Sequence, residues 1–234
     1  MKVFFALFMI FFTIPVLATQ YQVKYVATGL GMDLLTADMV IDMTNADYTI
    51  QTNSVAKGIL SLFIHNKTAF YTKGKIEGSR LTVLESSMKN TDGKKTDKTI
   101  WNFDEKQGFI DYQSVLIHLM RLQKNGTQAI RVTDGKRDML ITLTDEGQRN
   151  LTQIHPDLSG EGQAYSVRIK ITGGKKSGWF FKRIQEEKIS PMWLYMQKEE
   201  NGHSLVLSTF DTGVIGQLYI IRKEFKNEKN QSKN

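Results

Sequence analysis

The sequence KTAFYTKGKIEGSRLTVLESSM, residues 67–88, carries the pattern that decides the fold. Two runs rich in strand-forming residues, Lys67 to Ile76 and Ser79 to Met88, flank the dipeptide Glu77-Gly78. A glycine between two such runs is typical of a tight turn, because glycine adopts the backbone angles that the turn requires. The stretch therefore predicts an antiparallel β-hairpin.

The same pattern extends over most of the chain. Polar and apolar residues alternate in Gln20 to Ala27 and again in Asp33 to Met43, and Asp134-Gly135 is typical of a hairpin turn. Further predicted strands cover Tyr48 to Val55, Thr99 to Asp104, Thr127 to Thr133, Arg137 to Thr144, Gln163 to Ile171, Met192 to Gln197, Ser204 to Phe210 and Val214 to Ile221. Many short strands at regular spacing predict a mainly β protein with one large antiparallel sheet, curled into a half-open barrel or β-spiral.

Two segments with a helical pattern interrupt the strands. Gly58 to Phe63 is short and apolar, whereas Asp111 to Asn125 repeats apolar residues at helical spacing. Asp111 is the expected N-cap, Ser114 adds to the cap, and Gly126 ends the helix. Because so apolar a helix must pack against something, we expect the sheet to curl around it.

The first eighteen residues are typical of a secretory signal. Lys2 precedes an apolar run, and the small residues around Ala18 suit cleavage after that position. The sequence thus predicts Sec-dependent export and no transmembrane segment after cleavage. The chain has no cysteine, which favours a soluble periplasmic protein and excludes lipoprotein anchoring, a catalytic thiol and thiolate metal sites.

The remaining residues are expected to form one domain. Residues 19–225 contain no proline- or serine-rich linker and no internal repeat. Residues 226–234 are polar and basic, which predicts a disordered tail. The net charge of the whole chain is +7. Because the expected compartment is the periplasm, nucleic acid is not an expected partner, and we expect a monomer.

One set of residues allows a catalytic interpretation. Asp111, Ser114 and His118 are spaced so that they share a helix face, as a hydrolase triad would require. However, no nucleophile elbow or glycine-rich oxyanion loop accompanies them, and capping explains Asp111 and Ser114. The four histidines have no metal-ligand spacing. We therefore predict a protein that is not an enzyme, with no catalytic residues, no metal and no cofactor.

Aromatic residues and methionines indicate a different kind of site. The chain has ten methionines and many aromatic side chains, and in a partly open barrel the inward-facing ones line whatever space the helix leaves. Methionine suits variable apolar ligands because its side chain is flexible and polarisable. A completely packed core is the alternative. The expected lining residues are Phe63, Trp101, Tyr112, Leu116 and Trp193, and the expected structural residues are Asp111, Ser114, Asp134 and Gly135.

Several separated stretches resemble the bacterial periplasmic family called domain of unknown function 3108. They are Tyr21 to Tyr25 with Gly29 to Met32, Ala56 to Leu60, Asp111 to Leu116, Val132 to Arg137, Ile189 to Trp193 and Gly213 to Leu218. Tyr112 stands where that family usually has a proline. The resemblance implies a β-spiral or half-open barrel around a central helix, similar to lipoprotein carriers and envelope-integrity proteins, without an established enzymatic activity.

The sequence leads to one main functional hypothesis and two alternatives. The main hypothesis is a periplasmic protein that supports the cell envelope by holding a lipid, an acyl chain or an envelope protein partner in its concave sheet. The first alternative is a completely packed module that binds peptidoglycan or an envelope enzyme. The second is a hydrolase that uses Asp111, Ser114 and His118.

Overall fold

The computed structural model describes residues 19–58, 61, 67–93, 95–101, 103, 108–121, 126–135, 137–174, 192–199, 202–211 and 217–229. The expected signal, residues 1–18, lies outside this range. Most of the predicted short helix also lies outside it, including Phe63. Among the residues that the structure describes, none of the helices has the length and apolar character that crossing a bilayer requires.

Strands dominate the described residues. They are β1 (Thr19–Gly29), β2 (Met32–Met43), β3 (Asp47–Ala56), β4 (Lys67–Glu77), β5 (Arg80–Asp92), β6 (Lys95–Trp101), β7 (Thr127–Thr133), β8 (Arg137–Asn150), β9 (Glu161–Gly174), β10 (Met192–Glu199), β11 (Gly202–Asp211) and β12 (Gln217–Lys229). Helix α1 (Tyr112–Met120) lies between β6 and β7, and the single turn α2 (Leu151–Ile154) follows β8.

The twelve strands of the described residues form one antiparallel sheet, as the sequence predicts. Its order is β6-β5-β4-β3-β2-β1-β12-β11-β10-β9-β8-β7, so β6 and β7 are its two edges. The predicted hairpin of residues 67–88 is confirmed, since Glu77 pairs with Arg80 across the turn at Gly78. The edges β6 and β7 do not pair with each other within the described part of the chain, so the sheet is not closed.

The sheet curls around α1. The helix contacts β5 near one edge, and also β11 and β7 in the other half of the sheet. One helix reaches both halves only if the sheet wraps around it. The predicted half-open barrel around a central helix is therefore confirmed.

Two boundaries differ from the prediction. The structure ends α1 at Met120, whereas the sequence predicts a helix to Asn125, and residues 122–125 lie outside the described range. The expected tail from Lys226 is wrong for its first four residues, because β12 continues to Lys229 and pairs with Thr19. Cross-strand hydrogen bonds to β1 order these residues although they bury few apolar side chains.

The two faces of the sheet carry separate apolar clusters. The inner cluster includes Ile117 of α1 together with Leu194 and Met196 of β10. The outer cluster includes Leu151 of α2 and Tyr195 of β10. Alternate residues of β10 thus enter different clusters, as the two-residue period of a strand requires.

A candidate ligand-binding end of the sheet

Helix α1 begins at a buried carboxylate that also binds the sheet. Asp111 is the N-cap, and its Oδ1 accepts a hydrogen bond of 2.8 Å from the backbone N–H of Ser114. Its Oδ2 accepts hydrogen bonds from Thr72 Oγ1 of β4 and, at 2.6 Å, from Ser86 Oγ of β5. The side chains of all four residues are buried. The predicted cap is therefore confirmed, and it also joins the helix to two strands.

A tyrosine from β3 forms a second link to the start of α1. Its hydroxyl lies 2.6 Å from Ser114 Oγ, and Tyr48 is almost completely buried. Burial raises the pKa of Tyr48, while the hydrogen bond with Ser114 acts in the opposite direction. A Cβ on Gly74 would lie 2.4 Å from the Tyr48 ring, so the ring occupies the space that this glycine leaves free.

The last turn of α1 contacts two further parts of the sheet. Arg121 Nη2 donates a hydrogen bond of 3.1 Å to the carbonyl oxygen of Gly78, in the turn between β4 and β5. His118 Nε2 lies 3.1 Å from Gln128 Oε1 on β7. Burial lowers the pKa of His118, and the contact with Gln128 raises it by less. The helix thus closes the end of the curled sheet at which the Gly78 turn lies, and we call this the helix end.

At the opposite end, where the β1–β2 turn of Leu30 and Gly31 lies, the described apolar side chains are less completely buried. In β4, Ile76 is buried near the helix end, whereas Phe70 toward the other end is partly exposed. In β5, Val83 is buried, whereas Met88 is partly exposed. We call this second end the open end.

In the other half of the sheet, β9 and β10 show the same gradient. Tyr165 and Val167 of β9 are buried, whereas Ile169 and Ile171, further along the same strand, are only partly buried. In β10, Met192 at the open end is partly exposed, while the residues that follow it on the inner face are buried. The inner face of the open end is lined by partly buried apolar side chains: Met39, Phe70, Met88, Ile169, Ile171, Met192 and Ile220.

The two edges of the sheet meet through side chains. Trp101, at the end of β6, lies against the β7–β8 turn, since a Cβ on Gly135 would be 2.4 Å from its Cδ1 atom. Gly135 has a φ of +74°, which favours glycine, and Asp134 forms a 3.2 Å ion pair with Arg137 across the same turn. The structural roles predicted for Asp134 and Gly135 therefore agree with their positions. Within the described residues, the buried Trp101 Nε1 has no hydrogen-bond partner.

The expected lining residues do not lie together. Trp101 is buried in the inner cluster, and Leu116 of α1 packs against that cluster while remaining partly exposed. Tyr112 is 38% exposed and lies at the junction of the edges, where its hydroxyl is 3.3 Å from Met139 Sδ. Burial of its hydroxyl raises the pKa of Tyr112, and the Asp134 carboxylate raises it further. Phe63 lies outside the described residues.

The expectation for Trp193 is wrong. Trp193 packs against the outer cluster and stacks with Tyr195 at 6.5 Å between ring centroids. Its neighbours in sequence, Met192 and Leu194, belong to the inner face. Strand periodicity therefore places the tryptophan on the convex side, away from α1.

Sequence reasoning missed the isoleucines of the open end. Ile169, Ile171 and Ile220 carry no chemical signature, whereas Met39, Met88, Met192 and Phe70 belong to residue types that the sequence marked as a flexible apolar lining. The alternation Val167, Ile169, Ile171 was the available signal, since it puts three branched side chains on one face of β9.

The three residues of the triad interpretation do not form a relay. Ser114 Oγ bonds to Tyr48, both oxygens of Asp111 accept other donors, and His118 bonds to Gln128. A nucleophile needs its base within hydrogen-bond reach, and each of these groups has a different partner. Among the described residues, no group of three or more metal-ligating side chains lies together.

Comparisons with known proteins identify no named activity. No family model matches the chain, so the resemblance to domain of unknown function 3108 stays a prediction. No curated protein matches either. One solved structure that is similar to this chain is a β-barrel-like protein of domain of unknown function DUF1849 from Brucella abortus. It is 10% identical, with a TM-score of 0.42, and the match covers 91% of this chain and 98% of that one.

Proposed function

We propose that this protein is a non-enzymatic carrier or sensor that holds an apolar ligand, an acyl chain in particular, at the open end of its curled sheet. The observation that supports the proposal is the gradient of burial along the inner face. On β4, β5, β9 and β10, the apolar side chains near the helix end are buried, whereas those toward the open end remain partly exposed.

The chemistry of the lining suits a flexible hydrocarbon. Three methionines, Met39, Met88 and Met192, lie among branched and aromatic side chains. Methionine adapts its shape to a ligand at little energetic cost. Transfer of apolar surface from water contributes about 25 cal/mol per Å², so an acyl chain needs no specific charge to bind.

We further propose that residues 1–18 direct export to the periplasm and that the ligand-bound protein supports the cell envelope. The apolar run that follows Lys2 and the absence of cysteine support this compartment. The mass of the protein recovered from a periplasmic fraction tests the point, because removal of residues 1–18 leaves a chain that begins at Thr19. An intact N-terminus in that fraction would contradict cleavage.

The test of ligand binding uses native mass spectrometry and titration with a fluorescent fatty acid. Ile169→Asp places a charge among the lining residues of the open end, and we expect it to weaken binding about tenfold or more. Leu84→Asp is the matched control, because Leu84 is 49% exposed and lies away from the lining residues. Equal affinity of both variants, or a wild-type protein that binds no acyl chain, would favour the packed interaction module instead.

A further inference from the structure

The β1–β2 turn combines two unfavourable features in one residue. Leu30 is 60% exposed, and its φ of +54° places it in the left-handed region. Gly31 follows with a φ of +73°, so the turn has positive φ at both central positions. Asparagine and glycine are the residues that such a turn favours, whereas leucine is strained there by its own Cβ.

The residues next to this turn extend its apolar surface. Met32 is 45% exposed, and its sulfur lies 3.8 Å from the position that a Cβ on Gly58 would take. Val55, which is 37% exposed, lies further from the turn, since it pairs with Thr36 of β2. Large exposed apolar side chains that lie together mark an interaction surface more often than single ones do. We call Leu30 and Met32, on the two sides of Gly31, the apolar tip.

Lysines flank the apolar tip. Lys57 lies beside the tip, since its backbone N–H donates a 2.8 Å hydrogen bond to the carbonyl oxygen of Leu34, and Lys67 follows further along the sheet, where it pairs with Val55. Both are exposed, and opposing carboxylates come from Asp33 and from Asp211, which pairs with Gln217 near Gly29. Apolar side chains flanked by lysine suit a bilayer with anionic headgroups, since the apolar groups enter the interface and the ammonium groups remain at its surface.

We propose that the apolar tip docks this protein on an anionic lipid bilayer with the open end facing the membrane. The proposal rests on the proposed function, because an acyl chain that leaves or enters a membrane does so most directly through an opening held against it. The β1–β2 turn lies at the open end of the sheet, and so an inserted Leu30 brings the lining residues to the bilayer surface.

The test compares Leu30→Asn with the wild-type protein in vesicle co-sedimentation. Asparagine accepts the left-handed backbone, so the variant should unfold at the same or a higher temperature while its vesicle affinity falls about tenfold. Leu84→Asn is the control, because it removes an exposed leucine near the helix end and should leave vesicle binding unchanged. The vesicles contain phosphatidylethanolamine and phosphatidylglycerol, and pure phosphatidylcholine vesicles test the charge requirement.

The contribution of the lysines is measured separately. Lys57→Gln combined with Lys67→Gln should weaken binding to anionic vesicles and should leave binding to phosphatidylcholine unchanged. Undiminished vesicle binding by Leu30→Asn would overturn the proposal. So would a dimer that Leu30→Asn abolishes, because the tip would then bind a second copy of this chain.

Ligand binding and docking fail in different ways. Leu30→Asn should retain its affinity for a fluorescent fatty acid in the absence of vesicles, whereas Ile169→Asp should lose that affinity and still bind vesicles. If the wild-type protein binds vesicles but no acyl chain, the proposed function fails and the docking surface stands. If it binds the acyl chain but no vesicle, the docking proposal alone is overturned.

Discussion

The helix end and the open end of this sheet are built from the same strands and differ in what covers them. At the helix end, buried polar groups are hydrogen-bonded, as those of Asp111, Ser114 and Tyr48 are. At the open end, apolar side chains such as Met88 and Ile169 pack against the inner cluster and remain partly exposed. One end is specified by a hydrogen-bond network, and the other is left adaptable.

This difference has a physical reason. A buried carboxylate or hydroxyl requires partners in fixed positions, so the network at the helix end permits one arrangement of α1 on the strands. Apolar side chains impose no such geometry. The contrast teaches that the two ends of a single sheet are specified by different kinds of interaction.

Truncation of matched isoleucines gives the largest expected difference between the two ends. Ile50 is completely buried and pairs with Thr72. Ile50→Ala should therefore lower the free energy of unfolding by about 4 kcal/mol. Ile169→Ala should lower the free energy of unfolding by about 1 kcal/mol, because the Ile169 side chain already contacts water. Urea denaturation measures both, and equal losses would mean that the open end is packed as tightly as the helix end.

A matched glycine pair tests how rigidly each end is packed. Gly74→Ala brings a Cβ to 2.4 Å from the Tyr48 ring and should destabilise the protein by about 3 kcal/mol. Gly173→Ala, at the open end, brings a Cβ to 3.3 Å from the Asp138 carboxylate, a much longer approach than the 2.4 Å at Gly74. Its expected cost is below about 1 kcal/mol. If both variants unfold at the same urea concentration, the two ends of the sheet do not differ in the rigidity of their packing.

Removal of the helix cap tests whether the hydrogen-bond network is needed at all. Asp111→Ala leaves the hydroxyls of Thr72 and Ser86 and the Ser114 amide without their acceptor, so we expect a loss of about 2 kcal/mol. Asp111→Asn keeps one carbonyl oxygen and should lose less. Circular dichroism and urea melts provide the measurement. If Asp111→Asn is the less stable of the two variants, the amide N–H groups of asparagine are not accommodated among the hydroxyl donors of Thr72 and Ser86.

The smallest expected effect is a dependence of stability on pH at the helix end. Because burial lowers the pKa of His118 in the folded protein, the unfolded chain binds the proton more tightly. Stability should therefore fall as the pH drops below 6.5, the ordinary pKa of histidine, toward the lower pKa of the folded state. His118→Gln should flatten this slope in urea melts between neutral and mildly acidic pH. An unchanged slope would assign the pH dependence to another group.

Some features of the site follow from local sequence. Asp111 precedes a helical repeat and is followed by Ser114, which suffices to predict a cap. That the same carboxylate accepts Thr72 and Ser86 was not predictable, because those residues are separated from it by 39 and 25 positions. For Trp193 the prediction from the sequence was wrong. The aromatic side chain suggested a lining residue, but the alternation of side chains along β10 places it on the outer face.

The sequence by itself determined the class of fold, because alternation and turn residues act over a few positions and need no distant partner. It also determined the start of α1 and the turn at Asp134-Gly135. Only the tertiary structure decided which end of the sheet the helix closes, which face each aromatic residue occupies, and that the strained Leu30 lies at the open end. These depend on how twelve described strands curl together, and curvature is a property of the whole sheet that no local pattern encodes.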